Sequence, residues 1–404
     1  MRKSDMISSN SMLLFWISPV LGFISAMKNL MLRRSRLTLF LFCLCFGLCF
    51  SVGLERVEGS ADGISMRIEF EQYKGMSTTQ YENCLSEYFE FDTGLQDIYI
   101  VTISYLVGRL SDNYHFFFFA LAFVFAFFQL RCLKYFVKEK NFTNSMVCII
   151  LACLFLWNNI YNINGARFWT ASWMALFCLF KVFYDKKLWY ILFSVCLPMV
   201  HASFAIFPVL LLIAYFLSKY ERLWMVLFCI SWGFSFFAME FSFFSLDGIE
   251  LPFAIARKVS FYTDKENIMA LYYNGSGFYW VSRMFSFISR NYVELLILLI
   301  VMNQKHISHG PSRTIVNVMV VIATFANFGM VVPTLGRRFF MLNYALVAYS
   351  FLALFGDYKY KKIVYILPFA WLMNLFYLFK DVIAVLDFGF ILTPIFSVVR
   401  YIIV

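Results

Sequence analysis

Residues 114–140 read YHFFFFALAFVFAFFQLRCLKYFVKEK. From Tyr114 to Leu130 this stretch is almost wholly Phe, Ala, Leu and Val and carries no carboxylate, Lys or Arg. At about 1.5 Å of rise per residue, a helix of that length crosses a hydrocarbon core. Arg131, Lys134, Lys138 and Lys140 follow at once. An apolar run stopped by a basic cluster is the pattern of a membrane span ending in the cytoplasm.

The same alternation continues in both directions. Basic clusters at Lys28–Arg36, Lys181–Lys187, Lys219–Arg222, Lys305–Arg313 and Lys359–Lys362 separate further apolar runs. Of the 404 residues, 62% are apolar and 14% are charged, and the mean hydropathy is +0.73. Soluble domains carry about 25% charged residues, so a water-soluble fold is excluded on composition. The net charge of +10 sits mostly in the inter-span clusters. It therefore orients spans, and nucleic acid is not an expected partner. Nine of the ten cysteines lie in or beside apolar runs without metal-ligand spacing, and only Cys84 falls in a polar loop. No metal site and no loop disulfide follows from them.

The fold class expected is all-α: a polytopic transmembrane bundle forming one domain over residues 1–404, with about 11–13 membrane segments, some of them interfacial or re-entrant. With the basic clusters inside, Met12–Met27 is a retained first span and Leu37–Gly53 crosses outward. Gln96–Ser111 is a surface or re-entrant helix and Tyr114–Leu130 returns. Asn144–Ile160 and Phe168–Tyr184 then flank a tight external turn at Tyr161–Arg167. Leu188–Leu217 has both ends inside, so it is a hairpin with Pro198–His201 at its outer tip. Leu223–Met239 goes out, Phe278–Met302 returns, and Thr314–Leu335 with Phe339–Phe355 leave Gly336, Arg337 and Arg338 outside. Ile363–Phe379 and Asp387–Val404 complete the path. Two extracytoplasmic loops result, 54–97 and 240–277. The first holds Glu69, Glu71, Asp97 and most other acidic residues, with an amphipathic helix whose Tyr81, Leu85 and Tyr88 share a face set to lie on the membrane. Glu69 and Glu71 fall on a possible strand.

Arg167, His201, Arg337 and Arg338 all map to outer ends of spans. Charge at the edge of hydrocarbon costs a few kcal/mol unless paired or hydrated, so such residues usually have a task. Arg forks onto phosphate oxygens in pairs of hydrogen bonds, which suits a multiply charged anion at the outer leaflet. The turn Asn164-Gly165-Ala166-Arg167 adds the N–H groups that open a helix. Snorkelling to headgroups or pairing with external carboxylates is the competing reading for each of these arginines and for Arg283 and Arg290, although the helix-opening turn favours a task for Arg167; for His201 the competing reading is a buried, hydrogen-bonded core residue. Tyr279 and Trp280 can stack on sugar rings or belong to an interfacial aromatic belt. His306 and His309 stand in a solvated inner loop. No phosphate-binding loop, dinucleotide fingerprint or metal-holding Asp pair is present, so nucleotide-driven chemistry is disfavoured.

Asn164-Gly165-Ala166-Arg167-Phe168-Trp169-Thr170-Ala171, then Lys186-Lys187, then Val200-His201-Ala202-Ser203-Phe204 resemble the EpsG-like, Wzy-type polysaccharide polymerases of bacterial surface-polysaccharide clusters (O-antigen, capsule, exopolysaccharide). The layout is similar over most of the chain. The resemblance implies a GT-C-like membrane glycosyltransferase, independent of metal and nucleotide and without cofactor. It would act at the outer face of the bacterial cytoplasmic membrane on undecaprenyl-diphosphate-linked oligosaccharide, with a flippase and a chain-length regulator as partners. Arg167 would contact the donor diphosphate, Arg337 or Arg338 would form a second clamp, and His201 would be the base or a further diphosphate ligand. Glu69 or Asp97 is the alternative base, with Asn164, Tyr279 and Trp280 as weaker substrate contacts. The competing functions are a lipid-linked-sugar flippase and a membrane acyltransferase acting on polysaccharide.

Overall fold

The computed structural model describes residues 3–54, 62–90, 95, 97–139, 158–238, 279–307, 310–354 and 398–403. Among these the chain is helical and holds no β-strand. The expected crossings Asn144–Ile160 and Ile363–Phe379, most of Asp387–Val404, the loop 240–277 and His309 lie outside the described residues, in whole or nearly so.

The N-terminal run is not one span. α1 (Lys3–Ile17) stops at Ser18, whose extended φ of −153° and ψ of 125° precede Pro19, the first residue of α2 (Pro19–Lys28). Proline has no N–H and disfavours helical geometry in the residue before it. The chain turns back there so closely that a Cβ on Gly22 would stand 2.5 Å from the Phe15 Cα. The expectation of a single first span is corrected to two packed short helices.

α3 (Arg33–Cys49) runs opposite to α7 (Tyr114–Val137), and a Cβ on Gly47 would stand 2.6 Å from the Phe118 carbonyl oxygen. Between them lie α4 (Asp62–Tyr73), α5 (Thr78–Glu90) and α6 (Tyr99–Gly108). Glu69 and Glu71 are therefore helical rather than on a strand. Two residues apart on a helix, they point about 200° apart: Glu71 pairs with Lys74 at 2.7 Å, while Glu69 turns to Arg167. The amphipathic helix α5 lays Tyr81 on α6, with ring centroids 4.4 Å from Tyr105 and a hydrogen bond of 3.1 Å to Thr102, instead of resting its tyrosine face on the membrane alone.

α7 and α8 (Ala166–Phe183) run in parallel, with Phe125 on Trp173 and Tyr135 stacked on Phe180. The run Leu188–Leu217 is two short apolar arms. One is α9 (Trp189–Ser194) with α10 (Leu197–Val200), the other a 3-10 turn Ala202–Ile206 with α11 (Phe207–Leu217). They meet at His201. α12 (Glu221–Ser235) and α14 (Gly310–Phe328) are parallel, tied by Arg313–Glu221 at 2.8 Å and by Phe234 against Phe328. α13 (Tyr279–Met302) and α15 (Pro333–Leu354) close the group. Tyr114–Val137 and Gly310–Val331 are the described helices long and apolar enough to cross a membrane.

These directions sort the charges. The ion pair Lys181–Asp185, the pair Arg313–Glu221, and Glu139 accepting from Ser312 and Tyr349 gather at one end of the bundle, beside the basic clusters. Arg167, His201 and the start of α15 lie at the other. Large apolar side chains such as Leu212, Phe216, Leu223, Val226 and Ile230 are exposed on α11 and α12.

Candidate functional site

The site is built outward from the start of α8. Asn159 caps a 3-10 turn, Ile160–Gly165, by accepting from the Tyr161 N–H at 2.8 Å, and Gly165 hands the chain to Ala166. The side chain of Asn164 accepts from the Gly63 N–H at 2.9 Å, and a Cβ on Gly63 would lie 2.6 Å from that oxygen. This contact docks the start of α4 onto the turn. Two turns further along α4, Glu69 reaches Arg167 and forms an ion pair with its Nη2.

Asp97 approaches Arg167 from another side, Oδ1 to Nε at 3.5 Å, with its side chain only 5% exposed. Its position is set by the next residue, since the Ile98 N–H donates to the Met199 carbonyl at 3.0 Å. That bond ties the Asp97 segment to the tip carrying His201. Burial works against the Arg167 charge, but Asp97, Glu69 and Asp62 outweigh it and hold the guanidinium above its usual pKa.

His201 has an extended backbone, φ −156° and ψ 118°, and caps the turn that follows it. Its Nδ1 accepts from the Ser203 N–H at 3.2 Å and lies 2.7 Å from the Ser203 hydroxyl. A backbone N–H can only donate, so Nδ1 of the neutral ring is unprotonated and the hydrogen resides on Nε2. The neutral imidazole therefore presents a donor at Nε2. A base there would require the opposite tautomer.

Phe168 joins the parts. The His201 ring meets it edge-on at 5.5 Å, Phe204 packs on it at 5.6 Å, and the Arg338 guanidinium lies over it at 5.4 Å. Phe204 in turn contacts Phe339 at 5.4 Å. Arg167, His201 and Arg338 thus meet around the first turn of α8, at the end of the bundle opposite the basic clusters.

The arginine pair is not in a loop. The chain reverses earlier, at the 3-10 turn Gly329–Val331, and Gly336, Arg337 and Arg338 sit inside α15. The hydrophobic run continues without a break through Pro333, which starts helices well, so the turn falls before it. One residue is a step of about 100° around a helix: Arg337 is exposed and Arg338 is at the ring, so of the two it is Arg338 that lies on Phe168. Tyr279 and Trp280 open α13, and their side chains lie outside the described residues. His306 is exposed.

Phe168 and Ser203 were absent from the sequence candidates, although both lie in quoted motifs. Ser203 enters through its backbone N–H, which donates to the His201 side chain that caps the turn. Glu294 on α13 and Asn343 on α15 are fully buried polar side chains within their helices, and Asn327 is fully buried at the end of α14.

Compared with known proteins, residues 7–391 match the model described as the EpsG family. No curated protein matches, and no solved structure matches.

Proposed function

Because the chain belongs to the EpsG family, a Wzy-type polysaccharide polymerase family, we propose that it polymerises lipid-linked oligosaccharide repeat units at the outer face of a bacterial cytoplasmic membrane. The observation that carries this reading is the meeting of His201 and Arg338 on Phe168, the residue that follows Arg167, at the end of the bundle away from the basic clusters. By the positive-inside rule, that end faces out. The exposed apolar faces of α11 and α12 fit hydrocarbon, and the remaining helices complete a polytopic bundle.

In the proposed reaction the bond between the anomeric carbon of the donor and its diphosphate oxygen breaks. The acceptor sugar hydroxyl bonds to that carbon, its proton passes to a base, and the lipid diphosphate leaves with the electron pair. Charge grows on the leaving oxygens, and preorganised donors aimed at them lower the barrier. Arg167 and Arg338 supply guanidinium hydrogen bonds and His201 supplies Nε2–H. Without substrate, Arg167 is held by Glu69 and Asp97. A diphosphate competes for the same guanidinium, and the exchange frees Glu69 to take the hydroxyl proton. Asp97, almost fully buried, stays behind as the residue that orients Arg167.

The test is reconstitution of the full chain in liposomes with an undecaprenyl-diphosphate oligosaccharide and no nucleotide sugar. A ladder of products spaced by one repeat unit supports the proposal. A second reading, a lipid-linked-sugar flippase, draws on the buried polar residues of α13 to α15. It predicts movement of labelled lipid between leaflets with no change in its length.

A further inference from the structure

Three helices meet at a polar point that this reaction does not use. α13 carries Arg290 and, one turn on, Glu294; α14 carries Asn327 next to its last residue; α15 supplies the ring of Phe340. Arg290 Nη2 donates to Asn327 Oδ1 at 2.9 Å, its guanidinium lies over Phe340 at 5.6 Å, and it stands 3.9 Å from a Glu294 carboxylate oxygen. Glu294 and Asn327 are fully buried. Ionisable groups in such surroundings are rare unless they do something that apolar packing cannot do.

Their place in the fold shows what that is. Asn327 immediately precedes Phe328 and the turn Gly329–Val331. A Cβ on Gly336 would lie 2.6 Å from the Met330 backbone nitrogen and 2.7 Å from the Ala326 carbonyl oxygen. The second turn of α15 therefore rests directly on the backbone that ends α14, with no side chain between to absorb a shift. Arg338, two residues on, goes where the end of α14 goes. That end is fastened to α13 by the Asn327–Arg290 bond. Apolar helices surrounded by lipid have little to fix their register, and a buried interhelical hydrogen bond supplies it.

We propose that Arg290, Glu294 and Asn327 form a strut that places Arg338 over Phe168. Glu294 stands beside the Arg290 guanidinium, Arg290 holds Asn327, and Asn327 holds the turn from which α15 starts. All three are positioning residues and touch no reacting atom. The proposal rests on Arg338 being a diphosphate-binding cation.

The experiment uses the full chain in liposomes with lipid-linked repeat units. Asn327→Leu leaves the Arg290–Glu294 pair intact, and Arg290→Met removes the cation. In both, kcat for elongation is expected to fall about tenfold or more, with KM for the repeat unit within about twofold, and Arg290→Lys restores most of kcat. In parallel, spin labels introduced as noncanonical amino acids at positions 202 and 335 report the spacing between the His201 tip and α15 without substrate. One narrow distance is expected in the native chain and in Arg290→Lys, and a broadened or displaced one in the other two variants. A rise in KM at unchanged kcat would make Arg290 a ligand and overturn the proposal. An unaltered distance in Asn327→Leu would overturn it equally. If the native chain formed no polymer, the assigned reaction would fail while the distance measurement still judged the strut.

Discussion

The guanidinium of Arg338 lies over the ring of Phe168 at 5.4 Å, so α15 and α8 meet through a cation on an aromatic face. The contact puts a positive charge beside the Arg167 turn. Such contacts contribute about 0.5–2 kcal/mol, and more as water is excluded. Phe168→Leu is expected to lower polymer output about tenfold while the protein still accumulates in the membrane. Phe168→Tyr, which keeps the ring face, should retain most of it. Quantified product ladders from membranes with matched protein levels decide the matter, and equal loss in both variants would mean that bulk matters and the ring face does not.

Removing Arg167 has two separable effects. Arg167→Gln removes a cation 3.5 Å from the buried Asp97 carboxylate, and losing a partner of a buried group costs about 1–3 kcal/mol. The melting temperature in detergent should therefore fall. The double variant Arg167→Gln with Asp97→Asn should recover much of that stability and none of the elongation. Recovery of both would assign Arg167 a structural task only.

The tautomer of His201 separates two chemistries. As a donor at Nε2 it is partly replaced by the amide of Gln, so His201→Gln should keep roughly a tenth of the rate, well above His201→Ala. A base cannot be replaced in this way, and the two variants would then be equally impaired.

Gly336→Ala tests the backbone contact between α14 and α15. The added Cβ would stand 2.6 Å from Met330 N, so α15 must shift, at a cost of about 1–3 kcal/mol. Elongation should fall more steeply than thermal stability, because the same shift moves Arg338. A stable, fully active Gly336→Ala would show that the placement of α15 is not critical.

The sequence announces some of these features and conceals others for physical reasons. Spacing between basic clusters and apolar runs is a local signal, and it placed α7, the break at His201 and the turn before Arg167. The break at Ser18 was also written in Pro19 and Gly22, but a run of apolar residues outweighed it. Arg337 and Arg338 look alike in one dimension; only the helical phase separates the exposed one from the one on Phe168. The partners of Arg167 come from Glu69 and Asp97, far away in sequence, and no periodicity encodes a contact of that kind. Phe168 is one of 52 phenylalanines, so its role as the meeting point of three elements could not be told from packing.

If Arg167 and Arg338 drive chain extension from the first turn of α8, the length of polymer made by living cells depends on them. Cells carrying only the Arg167→Ala, Arg338→Ala double variant, at normal membrane levels, should accumulate single lipid-linked repeat units in place of long polymer. Polymer of native length from that variant would contradict the account.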